Sequence, residues 1–198
     1  MAVLDGIFGG SGLKSPRRFH HKGRKLSEIL EAHARFHRGD PQGVRADLEG
    51  ANLEKADLRG ANLTDAILTG ACLDGANLQR AKLVRADLDR ALLRETDLRN
   101  TDMTEAKLAG ADLSAALASG VEFFRCDMRG ACFERANLRN ANFRGSNVQG
   151  ARFAGADLGV TVLRETDLSG ADFTGVDLTT TLLPKSYSPS ATKVAAQQ

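Results

Sequence analysis

The sequence predicts an all-β solenoid with four sides per coil, preceded by a short α-helix. Large apolar residues recur at every fifth position from Leu48 to Leu183, except that alanine stands at position 118, which gives 28 repeats in a chain of 198 residues. A period of five fits neither the 3.6-residue turn of a helix nor the two-residue alternation of a strand. A chain that turns tightly after each large residue satisfies this period and packs the large residues into one column.

The spacing of the phenylalanines indicates the number of sides. Phe133, Phe153 and Phe173 are 20 residues apart, and so are Phe123 and Phe143. Four five-residue sides per coil place these rings in two vertical stacks on opposite walls. The repeats then form about seven coils. Stacked at the spacing of β-strands, these coils make a solenoid about 34 Å long.

The other positions of the repeat are also regular. A small residue lies two positions before each large one, and Asp or Asn usually lies directly before it, as in ADLRGANLTDA and ANLRNANFRGS. These stretches resemble the pentapeptide-repeat family, whose motif is A(D/N)LXX. The resemblance implies a right-handed quadrilateral β-helix, in agreement with the side count from the phenylalanines. The family is functionally diverse, so the resemblance predicts the fold more sharply than the function.

We divide the chain into four segments by composition and repeat pattern. They are a flexible basic leader (residues 1–25), an N-terminal capping helix (26–40), the pentapeptide-repeat β-helix (41–185) and a disordered C-terminal tail (186–198). Pro184 removes a backbone donor near the end of the last coil. Because nothing there resembles a cap, we expect that coil to pair with a second copy, as a homodimer, or with a partner.

The capping helix is predicted from the stretch SEILEAHARFHR. The open end of a β-helix exposes unpaired backbone groups, so the first coil needs a cover. Ser27 is the expected N-cap, and Gly39 is expected to end the helix. The side chains expected to lie on the first coil are Leu26, Ile29, Leu30, His33 and Phe36.

Catalytic and metal-binding patterns are scarce. All four histidines, at positions 20, 21, 33 and 37, precede the repeats, so no Ser-His-Asp or Cys-His arrangement forms across the solenoid. His33 and His37 share a helical face but lack an acidic or cysteine partner as third ligand, which favours ordinary helix-face histidines over a metal site. We therefore expect that the protein is not an enzyme and that it binds neither a metal ion nor a cofactor.

The three cysteines are expected to be free thiols. Cys126 replaces a small corner residue and should be buried and inert. Cys72 and Cys132 lie three coils apart on one wall, about 14 Å at the strand spacing and beyond the reach of a disulfide. Unpaired cysteines and the absence of a secretory signal favour a cytoplasmic protein, with a peripheral membrane location as the alternative.

Charge is distributed unevenly along the chain. The net charge is only +2, yet residues 1–45 carry +5 and residues 46–185 carry −4. The near-balance argues against direct binding of nucleic acid. The basic leader has a cluster without acidic residues, composed of Lys14, Arg17, Arg18, Lys22, Arg24 and Lys25. Apolar residues accompany this cluster, so it is suited to contact a partner protein, an anionic membrane surface or nucleic acid; the alternative is a solvated, disordered leader.

Two walls of the solenoid differ in their outward residues. One is an acidic wall with Asp47, Asp87, Asp127 and Asp167. The other wall presents apolar and basic side chains, which are Val84, Phe124, Arg125, Arg144, Val162 and Arg164. An exposed aromatic residue beside arginine is typical of interface centres, which favours this wall as the partner-binding surface. The alternative is that Arg144 covers Phe124 through a cation–π contact.

The preferred function is a non-catalytic protein–protein interaction module or scaffold that uses the rigid walls and the basic leader. A first alternative follows from the resemblance, because the quinolone-resistance branch of the family mimics DNA and binds gyrase. A mimic needs a continuous acidic face, which Lys107 and Arg129 interrupt here. A second alternative is a membrane-attached or enzyme-accessory scaffold that docks through the leader.

Overall fold

The computed structural model describes residues 12–187 of the chain. The regular elements before the repeats are a 3-10 helix (Pro16–Arg18), β1 (His20–His21), β2 (Arg24–Lys25) and α1 (Leu26–His37). Strands β1 and β2 form a short antiparallel hairpin. Residues 1–11 and 188–198 lie outside the described residues, and with them the start of the predicted leader and nearly all of the predicted tail.

The repeats form coils joined by parallel bridges between residues 20 apart, such as Asp87 with Lys107 and Lys107 with Asp127. The Leu88 N–H donates to the Lys107 carbonyl (2.7 Å), and the Lys107 N–H donates to the Ala86 carbonyl (2.9 Å). The 20-residue step corresponds to four pentapeptides, and hence to four walls. We number the walls by their first large residues, which are Leu48 (first wall), Leu53 (second), Leu58 (third) and Leu63 (fourth).

Each pentapeptide ends in a tight turn. In the first one, the Ala51 N–H donates to the Leu48 carbonyl (3.0 Å), and Gly50 has φ +62°. This left-handed region suits glycine because it costs other residues about 1–2 kcal/mol. Several repeats nevertheless place another residue there, including Val160 at φ +58°.

The Asp or Asn before each large residue stabilises the following turn. Asp127 Oδ1 accepts the Arg129 N–H (3.3 Å), and Asn137 Oδ1 accepts the Arg139 N–H (3.2 Å). Aspartate and asparagine fill the same role, so the repeated carboxylates serve the backbone through hydrogen bonding rather than through charge.

The large residues fill a continuous apolar column, and the phenylalanine stacks are confirmed by their ring geometry. Phe133 and Phe153 stack with centroids 5.0 Å apart and planes 4° apart, and Phe153 and Phe173 stack at 5.0 Å and 7°. Phe123 and Phe143 lie 4.8 Å apart with their planes tilted by 33°. The stacks also meet edge to face, since Phe133 and Phe143 are 5.7 Å apart at 78°.

The small corner position has a second role that the sequence analysis missed. The Thr101 hydroxyl donates to the carbonyl of Leu78 (2.8 Å), and the Thr161 hydroxyl donates to that of Leu138 (2.7 Å). Each bond spans 23 residues and is the second one to its carbonyl, since Leu78 and Leu138 already accept the N–H groups of Ala81 and Ala141. Small size therefore explains alanine at these corners, whereas threonine adds a hydrogen bond between coils.

The cysteines are free, as expected. The Cys126 thiol donates to the Met103 carbonyl (2.9 Å), and burial raises its pKa to about 12, which makes it unreactive at neutral pH. Three successive bridges, through Leu92 and Asp112, separate Cys72 from Cys132 on the second wall. That separation excludes a disulfide between them.

Helix α1 lies on the first coil and buries Leu26, Ile29 and His33. Two details differ from the prediction. The helix begins at Leu26, with Lys25 as N-cap, so Ser27 lies within the first turn. Leu26 determines this start because its side chain is fully buried and its N–H donates to the Phe19 carbonyl (2.9 Å).

The second difference is that Phe36 is 41% exposed rather than packed on the coil. The last turn of α1 instead directs His37 at the solenoid, with Nε2 at 2.7 Å from the Thr64 carbonyl. The following loop also packs tightly on this turn, since a Cβ added at Gly43 would lie 2.2 Å from the Phe36 nitrogen.

Residues 12–25 are bonded to the first coil, whereas the sequence predicts a flexible leader there. The Lys14 N–H donates to the Lys55 carbonyl (2.8 Å), and the Asp57 N–H donates to the Lys14 carbonyl (2.9 Å), which adds a rung to the third wall. Lys22 Nζ then contacts Asp47 Oδ2 (2.6 Å) on the first wall. This segment therefore crosses the end of the first coil, because an unpaired edge readily accepts a backbone partner.

At the other end, the bridges described in the structure stop with the pair Val162 and Leu182. Leu182 is 41% exposed there. Beyond it, Tyr187 packs against the core and its N–H donates to the Pro184 carbonyl (3.1 Å). Among the described residues, no helix is long and apolar enough to span a membrane.

Candidate functional site

Phe124, on the fourth wall, is half-buried and lies under an arginine. The covering residue is Arg125, whose guanidinium carbon is 4.8 Å from the ring centroid. The alternative expected from sequence, a cation–π contact over this ring, is thus present, but Arg125 makes it and not Arg144. Gly145 leaves room for the Arg125 stem, since a Cβ at that glycine would lie 3.4 Å from Arg125 Cγ.

Arg144 is held by another partner. Its Nη2 and Nε contact the two carboxylate oxygens of Glu165 at 2.8 and 3.1 Å. The Arg144 hydrogen bond lowers the pKa of Glu165 below its usual range. The pair fixes an exposed guanidinium and a carboxylate beside the Phe124 region, which gives this wall a defined charge pattern rather than a loose one.

The remaining predicted residues of the fourth wall separate into two groups. Val84 is half-buried and lies 40 residues before Phe124, which is two rungs or about 10 Å at the strand spacing. Val162 is half-buried beside exposed Arg164, and a bridge joins Val162 to Leu182. The structure thus brings Val162, Arg164 and Leu182 together near the last coil, with Val84 well removed from them.

The acidic wall is largely neutralised by cations. Three of its four aspartates form ion pairs, namely Asp47 with Lys22 (2.6 Å), Asp87 with Lys107 (3.8 Å) and Asp127 with Arg129 (2.6 Å). Hydrogen bonding to Arg129 lowers the pKa of Asp127. Asp167 accepts the Ser169 N–H (3.0 Å) in its turn. The first wall therefore carries separate ion pairs, with uncharged Ile67 and Asn147 between its aspartates, rather than a continuous acidic face.

The six cations predicted for the leader are all exposed at the N-terminal end of the solenoid. Lys22 pairs with Asp47. Lys14, Arg18 and Lys25 form no ion pair within residues 12–187. Helix α1 contacts both the 3-10 helix and β2, so these cations belong to one packed unit.

His33 is fully buried, and its contacts argue against metal binding. Its Nδ1 accepts the Ala46 N–H (3.0 Å), so the neutral ring carries its proton on Nε2, where it blocks ligation. Burial, reinforced by neighbouring His37, lowers the pKa of His33 and keeps the ring neutral. In the part of the chain that the structure describes, no cluster of three or more His, Cys, Asp or Glu side chains is placed to hold a metal ion.

Comparison with known proteins agrees with the repeat pattern. The family model for pentapeptide repeats matches eight copies, within residues 44–80, 71–108, 81–120, 106–145, 122–159 and 141–179. A comparison with curated proteins found no match.

Several solved structures are similar to the chain. HetL, a pentapeptide repeat protein involved in heterocyst differentiation regulation in the cyanobacterium Nostoc sp. strain PCC 7120, is 27% identical over 75% of this chain and 83% of its own, with a TM-score of 0.44. Full-length QnrB1, a plasmid-mediated fluoroquinolone resistance protein, is 18% identical over 77% and 81%, with a TM-score of 0.34. Rfr23 from the cyanobacterium Cyanothece 51142 is 26% identical over 76% and 97%, with a TM-score of 0.27.

Pentapeptide repeat proteins fold as right-handed β-helices and are generally non-enzymatic structural or interaction proteins. The family match extends over residues 44–179, the same part of the chain in which bridges recur every 20 residues. This chain belongs to the pentapeptide-repeat family.

Proposed function

We propose that this protein is a non-catalytic scaffold of about seven coils that binds a protein partner through its fourth wall. The observation that carries the proposal is Phe124, a half-buried aromatic ring held under the Arg125 guanidinium at 4.8 Å. Aromatic and arginine side chains are enriched at the centres of protein interfaces. The strip from Val162 to Leu182 extends the same wall with apolar surface.

The stiffness of the solenoid supports a binding role. Backbone bonds join each coil to the next, and the phenylalanine stacks fill the column behind this wall. A surface that is already ordered loses little conformational entropy when it binds. The ion pair between Arg144 and Glu165 further restricts two long side chains before any partner arrives.

Affinity purification followed by mass spectrometry tests the wall. Phe124→Asp places a charge at the proposed centre, and Gln149→Asp is the matched control because Gln149 holds the same repeat position on the first wall and is exposed. A partner captured by the wild-type protein and the control, but lost with Phe124→Asp, supports the proposal. With the purified partner, we expect the variant to lose at least about 2 kcal/mol of binding free energy.

The opposite pattern contradicts the proposal. If Phe124→Asp retains every partner and Gln149→Asp loses one, the binding surface is the first wall. Both variants must show the wild-type circular dichroism spectrum, so that loss of binding is not loss of folding.

The DNA-mimic alternative places function on the acidic wall. Duplex DNA carries one charge per about 1.7 Å of its axis. Here three of the four aspartates are paired with cations, which disfavours that alternative. In a supercoiling assay we expect the protein neither to inhibit gyrase nor to protect it from quinolones; an effect at micromolar protein would favour the mimic instead.

A further inference from the structure

We propose that the N-terminal end of the solenoid, formed by residues 12–45, binds an anionic lipid surface and attaches the scaffold end-on. This basic end is separate from the fourth wall, and the proposal does not depend on which partner that wall binds. The lipid headgroup is the proposed ligand, recognised by charge and by a small apolar contact.

The first step of the argument is net charge. Residues 12–45 contain nine basic and three acidic side chains, whereas residues 46–185 carry a net charge of −4. The positive charge is therefore concentrated at one end of a solenoid whose body is acidic. Such asymmetry orients the molecule toward an anionic plane with this end first.

The second step is that the charge is held in place and remains largely unneutralised. Backbone bonds fix Lys14 on the third wall, and Lys22 is anchored to Asp47 on the first wall. The chain between them spans the end of the first coil. Arg18 and Lys25 are exposed within this segment and form no ion pair inside residues 12–187. The end therefore presents cations across its full width.

The third step is apolar surface at the same end of the solenoid, close in sequence to Arg35, Arg38 and Arg45. Phe36 is 41% exposed and Val44 is 53% exposed, two of the five exposed large hydrophobic residues among those described. The backbone at Gly43 packs on the Phe36 turn, which keeps both side chains in the same region. Apolar side chains among lysine and arginine are the composition that inserts at lipid headgroups.

A nucleic acid is the competing polyanion, and the solenoid body disfavours it. A duplex lying along the solenoid would face walls of net negative charge, whereas a membrane plane contacts the basic end alone. Lysine and arginine near an anionic bilayer each contribute about fivefold to binding. Several such residues acting together give measurable attachment that high salt abolishes.

Vesicle sedimentation tests the proposal with the full chain. The probes are vesicles of phosphatidylcholine alone and vesicles enriched in phosphatidylserine. The charge-reversal variant combines Lys14→Glu, Arg18→Glu and Lys25→Glu. The matched control combines Arg80→Glu, Arg90→Glu and Arg135→Glu, three exposed arginines of the walls that change the net charge equally. Circular dichroism shows whether both variants fold.

We expect the wild-type protein to sediment with phosphatidylserine vesicles only, and the control to do the same. The charge-reversal variant should bind at least about 100-fold more weakly, because three attractive charges are lost and three repulsive ones are added. Equal sedimentation with both vesicle types overturns the proposal, as does equal weakening by the two variants. Tighter binding to duplex DNA than to phosphatidylserine vesicles at the same salt concentration would overturn the proposal, because the basic end would then be a nucleic-acid-binding surface. Phe124→Asp should leave vesicle binding unchanged, which separates this result from that of the fourth wall.

Discussion

Replacing Val160 with glycine tests the turn geometry on which every coil depends. Val160 has φ +58°, and its side chain is 48% exposed, so little packing is lost with it. The left-handed conformation costs an L-residue about 1–2 kcal/mol, and a β-branched side chain is especially unsuited to it. Glycine removes that strain but raises the entropy of the unfolded chain, which offsets about 0.5–1 kcal/mol. We expect Val160→Gly to stabilise the protein by about 0.5–1 kcal/mol.

The matched opposite change is Gly130→Ala. Gly130 holds the same repeat position with φ +65°, and a Cβ added there meets nothing within 4 Å. Its cost is therefore backbone strain alone, which we expect to destabilise the protein by about 1 kcal/mol. In a chain of this length, that corresponds to about 2–4 °C in Tm.

Urea unfolding followed by circular dichroism measures both changes against the wild-type protein. The urea midpoint should rise with Val160→Gly and fall with Gly130→Ala, although the two positions are equivalent in the repeat. A lower midpoint for Val160→Gly, or an unchanged one for Gly130→Ala, refutes the role given to backbone strain. Either result would show that the turns do not require a left-handed residue at this place.

Three further changes test the core and the cap. Thr101→Val removes a buried hydroxyl donor at nearly constant volume and should lower the unfolding free energy by about 1 kcal/mol, with Thr101→Ser as the control that keeps the donor; equal losses in the two variants would contradict the bond. Gly43→Ala places a Cβ 2.2 Å from the Phe36 nitrogen, so amide exchange in α1 should accelerate, and unchanged protection would be inconsistent with this contact. The buried His33 ring has a pKa below its usual 6.5, so the stability that depends on its bond from Ala46 is complete above about pH 6.5 and is lost as the pH falls toward the lower value. The difference in urea midpoint between wild type and His33→Leu should therefore shrink below about pH 6.5, and a difference independent of pH would contradict this role.

The repeat could be predicted from sequence because its signal is redundant. A large residue at nearly every fifth position leaves one consistent packing arrangement. The 20 residues between Phe133 and Phe153, whose rings stack, indicate the length of one coil. Even where the residue type changes, as at Cys126, burial follows from position. Periodicity of this kind predicts what lies inside the column and what faces outward.

Other features depend on contacts that leave no pattern. Lys14 joins the third wall through its backbone, so its side chain gives no sign of the added rung. Arg125 and Arg144 both reach toward Phe124 by position, and the choice between them depends on rotamers and on the competing carboxylate of Glu165. The hydrogen bond of the Thr101 hydroxyl has no sequence signal, because its acceptor lies 23 residues away.

Directed disulfide formation tests the four-walled column most directly. Gln149 and Ser169 are exposed on the first wall, 20 residues apart, and the Gly150 N–H donates to the Ser169 carbonyl (2.9 Å). Adjacent rungs separate their Cα atoms by about 4.8 Å, within disulfide reach. Mild oxidation should therefore crosslink Gln149→Cys with Ser169→Cys, as detected by mass spectrometry of the linked peptides. Gln149→Cys with Thr174→Cys, 25 residues apart on neighbouring walls, should stay reduced. Crosslinking of the second pair without the first would contradict a 20-residue circuit and the walls built on it.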